Sequence, residues 1–223
     1  LSLAVTRKCS VGYQPEEMEV VDDYMYVANS GGYRAPDYDN TVSVIQMIDF
    51  KQVQQVPVGI NLHRLKKDRY NKLWVTSRGD YMSRPSRLYV MQKRPGYNRM
   101  EVTDTIPVAC SNMAFFGDSL FYYSTEWNNF TASNTITYGI IDIRTKEVVS
   151  DCFITDGTEK DIVIPYGIAI HPETGDIFVT DAKNYVSSGT LHCYDRHGRR
   201  KWSVRTGDIP AHIVFLPRCV YGR

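Results

Sequence analysis

The chain has 223 residues, 43% of them hydrophobic and 12% aromatic, which is enough apolar material to bury a core and suits one all-β domain. Its 26 Lys and Arg stand against 25 Asp and Glu, so no global charge draws it to nucleic acid or to an anionic membrane, and charge-based recognition has to be local. No apolar run reaches the roughly 20 residues of a transmembrane helix, and Leu1 to Arg7 lack the long apolar stretch of a signal peptide.

In chain order, residues 1–13 read as the last strand of a four-stranded unit, because Cys9-Ser10-Val11-Gly12 matches Val56-Pro57-Val58-Gly59. The chain starts without Met and inside this strand, so further N-terminal sequence, with any export signal, is expected to precede it. Four full units then follow, over 14–59, 60–108, 109–154 and 155–207. Each is marked by a short aromatic and β-branched strand: Tyr24-Met25-Tyr26-Val27-Ala28, Leu73-Trp74-Val75-Thr76-Ser77, Leu120-Phe121-Tyr122-Tyr123-Ser124 and Ile177-Phe178-Val179-Thr180-Asp181. Their third residues are separated by 48, 47 and 57 positions, and each strand follows a turn with Asp or Asn, which is a hairpin signal.

An apolar stretch precedes each turn, clearest at Ile164 to His171. A third strand follows a polar loop, at Thr41 to Ile45, Arg87 to Met91, Tyr138 to Asp142 and Thr190 to Asp195. A fourth closes the unit, as at Val53 to Val58 and Lys201 to Arg205. Residues 208–223 repeat the opening of a unit, with an inner strand over Ala211 to Leu216. Strand, hairpin, strand, loop, strand, turn, strand is one propeller blade. The fold class is therefore an all-β propeller of four-stranded antiparallel blades, with four full blades and partial blades at both ends, part of a larger ring. Val27, Val75, Ile168, Ala169, Ile170, Val179 and Ile213 are expected to be buried.

The five cysteines (Cys9, Cys110, Cys152, Cys193, Cys219) are odd in number and never spaced C-x-x-C, so neither a disulfide framework nor a zinc site is indicated, and they read as small apolar side chains.

At Tyr26-Val27-Ala28-Asn29-Ser30 and Thr41-Val42-Ser43-Val44-Ile45 the sequence resembles the YVTN-type, YncE-like propellers. It is closer still to a bacterial cell-surface subgroup of them. Gly31-Gly32-Tyr33, Asn61-Leu62-His63-Arg64, Ser77-Arg78-Gly79-Asp80-Tyr81, Ile164 to Ala169, Asp181 to Tyr185 and Gly207 to His212 carry that likeness over essentially the whole chain. The resemblance implies a seven-bladed ring, export as a surface lipoprotein or into the periplasm, and, for some members, capture of corrinoids beside a TonB-dependent outer-membrane transporter. A monomer without a cofactor is expected.

In a propeller the loops between second and third strands and those between blades emerge on one face, where recognition is to be sought. Here they carry Tyr33, Arg34, Asp37, Tyr38, Asp39, Arg78, Asp80, Tyr81, Arg84, Trp127, Phe130 and Tyr185, joined by Asn61, His63, Arg64, Tyr166 and His212. Tyr33, Tyr38, Asn61, His63, Arg64, Arg78, Asp80, Tyr81, Trp127 and Tyr185 are the ligand-binding candidates, since aromatic and Arg side chains give large contact area and planar hydrogen bonding. Against this stand blander roles: tyrosines capping blade ends, an Arg78-Gly79-Asp80 turn pairing with its neighbours, and hydrogen-bonded histidines at blade entries.

No G-x-S-x-G, H-E-x-x-H, P-loop or dinucleotide fingerprint is present, and no catalytic or metal residue is assigned. Asp37, Asp39 and Asp80 lack the regular loop grammar of a calcium site. Asn129-Phe130-Thr131 fits a glycosylation sequon but carries little weight. The sequence favours a non-catalytic binding protein for a small-molecule nutrient. A protein-interaction scaffold is the alternative, and a propeller hydrolase or lyase the third reading.

Overall fold

The computed structural model describes residues 4–97, 99–128 and 133–216, with the side chain of Asn128 left aside. Cys219, Phe130 and the sequon at Asn129 to Thr131 lie outside the described residues. The chain is all-β: among the described residues sixteen strands form four separate four-stranded antiparallel sheets, each a meander in chain order, with two short 3-10 turns at Gly32–Arg34 and Thr158–Asp161. Two compact units result, residues 1–111 and 112–223, each holding two blade-like sheets.

In the first unit, β1 (Pro15–Val21), β2 (Tyr24–Asn29), β3 (Thr41–Gln46) and β4 (Lys51–Pro57) form one sheet. β5 (Leu62–Lys67), β6 (Leu73–Ser77), β7 (Arg87–Lys93) and β8 (Met100–Ile106) form the other. Inner strand β1 packs beside inner strand β5. Every residue of β6 is buried, as expected of a strand covered on both faces: Leu73, Trp74 and Val75 are apolar, and the polar Thr76 and Ser77 are bonded to the Arg64 N–H and the Ile60 carbonyl. Tyr26, Val42, Leu62, Leu65, Leu73 and Val75 interlock between the two sheets, each such side chain contributing about 1.5–3 kcal/mol by leaving water. The β5–β6 turn is held by buried Asp68. Its Oδ1 accepts the Tyr70 and Lys72 N–H groups (2.8 and 2.9 Å), and its Oδ2 accepts the indole N–H of fully buried Trp74 (2.9 Å).

In the second unit, β9 (Asn112–Phe116), β10 (Ser119–Asn128), β11 (Ser133–Asp142) and β12 (Glu147–Ser150) form one sheet. β13 (Pro165–Ile170), β14 (Ile177–Asp181), β15 (Ser188–Tyr194) and β16 (Arg200–Asp208) form the other. Tyr138, Phe153, Ile154, Ile168 and Val179 make its core. The segment expected as a loop from Thr125 to Thr135 is largely a hairpin instead: β10 and β11 pair out to Trp127↔Asn134 and Asn128↔Ser133. Residues that alternate along both strands keep the ladder going well past the buried layer.

Val27, Val75, Ile168, Ile170 and Val179 are buried as expected. Ala169 is only partly buried, because alternation along β13 turns it to the opposite face from Ile168 and Ile170. Ile213 is also only partly buried. The expected inner strand over 211–216 has no ladder partner among the described residues, yet exposure alternates along it. Its inward side packs on the last sheet: Thr180 Oγ1 donates to the Pro210 carbonyl, and the Phe215 ring stands edge-on to His171 (5.0 Å) and Phe178 (5.3 Å). Residues 4–13 likewise form no strand. The motif match at their end nevertheless recurs in the backbone, since Gln14 and Asn61, each two residues after the matched glycine, both adopt left-handed φ (47° and 53°). Cys9, Cys110, Cys152 and Cys193 are free thiols, and burial pushes the Cys110 and Cys193 thiols up. No described helix is long and apolar enough to cross a membrane.

Candidate functional site

Asn61 ties together the loop end of the first unit. Its N–H donates to the Asp39 carbonyl (2.9 Å), its carbonyl accepts Arg78 N–H (3.1 Å), and its Nδ2 donates to the Gly79 carbonyl (3.1 Å), so one buried residue, through backbone and side chain, joins the 30–40, 58–61 and 78–86 segments. Its left-handed φ is one that Asn tolerates better than most residues. The grouping expected of second-to-third loops and blade-joining loops thus holds within this unit for Asn61, Arg78 and their neighbours.

Two β-bulges aim the adjoining charges. The β1–β2 register shifts between Pro15 and Met18, and the β5–β6 register shifts between Leu62 and Leu65. Bulges of this kind redirect side chains. The bulged residues are Glu16 and Glu17 on β1, and His63 and Arg64 on β5. Glu16 accepts Ser30 Oγ (3.0 Å) and lies 3.5 Å from Arg78 Nη1. Glu17 accepts Leu65 N–H (2.8 Å) and Lys66 Nζ (2.9 Å), leaving Arg64 Nη1 at 3.9 Å and the buried Arg64 Nε without a hydrogen-bond partner among the described residues. Burial, with Arg78 and Arg64 beside it, pulls the His63 pKa down to about 2.

Asp80 is committed to its own loop. Its carboxylate accepts the N–H groups of Met82, Ser83 and Arg84 (2.9, 2.8 and 2.8 Å) and the Ser83 hydroxyl (2.9 Å). The backbone donors of Arg84 and Met82 hold its pKa at about 2. Gly79, at φ 66°, lets this loop close, for a Cβ there would stand 2.0 Å from the Arg84 carbonyl oxygen. The Arg78-Gly79-Asp80 turn is therefore an internally paired loop, with Arg78 facing Glu16. Asp39 is similarly turned inward, accepting the N–H groups of Tyr13, Asn40 and Thr41 (3.0, 2.7 and 3.1 Å). Among the described residues no group of three His, Cys, Asp or Glu is placed to hold a metal.

Around this frame the aromatics are displayed. Tyr33 is 93% exposed on the Gly32–Arg34 turn, its N–H bound to Gln14 Oε1, and Tyr81 is 65% exposed at φ 61°. Tyr38 is partly buried beside Gly31. Beneath the 78–86 loop lies a cavity of about 380 Å³, bounded by Asn40, the 58–60 segment, Ser83 to Pro85, Arg87 and Tyr89. Of these only Arg84 was among the loop side chains singled out from sequence. Arg87 and Tyr89 were taken as strand residues, and nothing local marks them as cavity walls. A larger cavity of about 530 Å³ lies at the hairpin end of the same unit, where Gln54 is bonded to Met100 and Lys93 is paired with Asp22 (2.5 Å).

Trp127 and Tyr185 belong to the second unit. Trp127 is 60% exposed on β10. Tyr185, in left-handed φ, stands edge-on to Tyr166 (5.7 Å), and burial beside Tyr166 raises its pKa. The Tyr166 carbonyl, at the β13 bulge, accepts Tyr123 OH and Asn112 Nδ2. His212 is exposed.

No family model and no curated protein matches this chain. Among solved structures it is similar to Kuenenia stuttgartiensis hydrazine synthase, at a TM-score of 0.66 and 17% identity, over 94% of this chain and 59% of that one. The chain thus spans less than two thirds of that structure's length, and the likeness shows fold alone.

Proposed function

We propose that the chain is a non-catalytic ligand-binding propeller of the cell surface or periplasm, taking up a large, partly planar nutrient, a corrinoid or similar compound, for an outer-membrane transporter. The surface and corrinoid setting rests on the resemblance. The single observation that carries the binding reading is the exposed pair Tyr33 and Tyr81, held on constrained loops beside the Asn61 and Arg78 frame. Exposed aromatics on rigid loops offer contact area with little entropy to lose on binding. The non-catalytic reading is supported by His63: an imidazole flanked by two guanidiniums, with a pKa near 2, is a feeble general base.

Calorimetric titration with cyanocobalamin, alongside the Tyr33→Ala/Tyr81→Ala variant, tests this reading. Saturable binding that weakens at least about tenfold, equivalent to 1.4 kcal/mol, is expected. Absence of heat at high ligand concentration would remove the corrinoid reading and favour a protein-interaction scaffold using the same aromatics.

A further inference from the structure

We propose that the 380 Å³ cavity of the first unit is an anion subsite, in which Arg84 and Arg87 clamp a phosphate or carboxylate borne on a planar group that rests against Tyr89. This deepens the ligand-binding reading and rests on it. The volume lies within the range of small-molecule sites.

Charge supplies the first argument. Neither guanidinium has a hydrogen-bond or ion-pair partner among the described residues, although both line one cavity. By contrast, three other arginines of the unit are engaged: Arg78 with Glu16, Arg34 over the Tyr13 ring at 4.0 Å, Arg94 over Tyr97 at 4.8 Å. The carboxylates of the adjoining loops, Asp39 and Asp80, spend their oxygens on backbone N–H groups and hydroxyls. Two positive charges are therefore left uncancelled. A bidentate oxyanion is the ligand class that planar guanidiniums recognise best.

Preorganisation is the second argument. Arg84 springs from a loop closed by Asp80 and by the Asp80 N–H to Arg84 carbonyl bond (3.1 Å), and Ser86 Oγ anchors the far side to the Arg78 carbonyl (3.2 Å). Arg87 opens strand β7, paired with Ser77. Little backbone order has to be acquired on binding, which is what a clamp requires. The Tyr89 ring completes the wall, lying over Gly59 so closely that only a residue without a side chain fits there.

The experiment is calorimetric titration of the protein with phenyl phosphate, benzoate and phenol, repeated on Arg84→Gln/Arg87→Gln and on Lys51→Gln, which removes a charge at the opposite end of β4. Saturable binding of phenyl phosphate or benzoate is expected, phenol giving none. The double variant should weaken it at least about tenfold, the loss of one charge-assisted bond, with Lys51→Gln unchanged. Circular dichroism of the double variant should overlay the parent, since neither arginine is buried in the core. The tighter of the two anions identifies the ligand group as phosphate or carboxylate. Binding of neither anion, or equal weakening by Lys51→Gln, overturns the proposal. Cyanocobalamin titrated in parallel separates the two readings: anion binding without cyanocobalamin binding keeps the subsite and removes the corrinoid, whereas cyanocobalamin binding with no anion binding does the reverse.

Discussion

Gly59 lies under the ring of Tyr89, so that a Cβ at position 59 would come within 2.6 Å of Cε2 and 2.7 Å of Cζ. The same arrangement recurs in the second unit, where a Cβ on Gly139 would stand 2.6 Å from Cε1 of Tyr122. Gly59→Ala should therefore destabilise by about 1–3 kcal/mol through overpacking and, by displacing Tyr89, abolish phenyl phosphate binding. Gly139→Ala should cost comparable stability while leaving that binding intact. Urea denaturation with calorimetry checks both; unchanged binding in Gly59→Ala would show that Tyr89 is not a wall of the site.

Removing the Asp68 carboxylate strands three donors, the Trp74 indole and the Tyr70 and Lys72 amides. Asp68→Ala is expected to lose about 3 kcal/mol, the cost of leaving buried donors short of a charged acceptor. Asp68→Asn should lose a similar amount by presenting N–H groups toward the indole N–H. Equal stability of the Asn variant and the parent would place the whole effect in the turn amides.

His63 makes stability depend on pH. Its folded pKa of about 2 lies below the 6.5 of a free imidazole, so between these values the unfolded chain binds the extra proton. The stability contribution is complete above pH 6.5 and is lost as pH falls below it, by at most one proton, about 1.4 kcal/mol per pH unit. Between pH 7.5 and 5, urea midpoints should fall more for the parent than for His63→Gln. Parallel decline would show that the imidazole charges freely in the folded state.

Asp80 controls the loop that presents Arg84. Its pKa of about 2 lies below the ordinary 3.8, so the loop's order is present above pH 3.8 and is lost as pH falls toward 2. Asp80→Ala should reproduce that loss at neutral pH: a several-fold weaker affinity for phenyl phosphate, with global stability nearly unchanged because the loop is exposed. An unchanged affinity would mean that Arg84 needs no preorganisation.

Much of the fold was legible in local pattern. The strands around Val27, Val75, Tyr122 and Val179 announced themselves because buried strands demand β-branched and aromatic runs, and because hairpin turns demand residues such as Asp22, Asn71 and Gly117 that accept positive φ. The candidate site was legible in part. Asn61 and Arg78 fall in loops, where the sequence placed them, but His63 and Arg64 stand on the β5 bulge and Trp127 on a paired strand, where the sequence placed loops.

What sequence alone settled is what depends on neighbours a few positions away: strand identity, turn chemistry, the four-stranded repeat and the near-neutral charge that leaves recognition to local groups. Tertiary structure decided the rest. The bulges that turn Glu17 toward Arg64, the inward commitment of Asp39 and Asp80, and the cavity shared by Arg84, Arg87 and Tyr89 arise from segments distant in sequence, such as Glu17 and Leu65 or Asn40 and Tyr89, meeting in two packed sheets. The physical reason is that a side chain's partners, and hence which charges remain free to meet a ligand, are set by packing between strands and not by the order of residues along one.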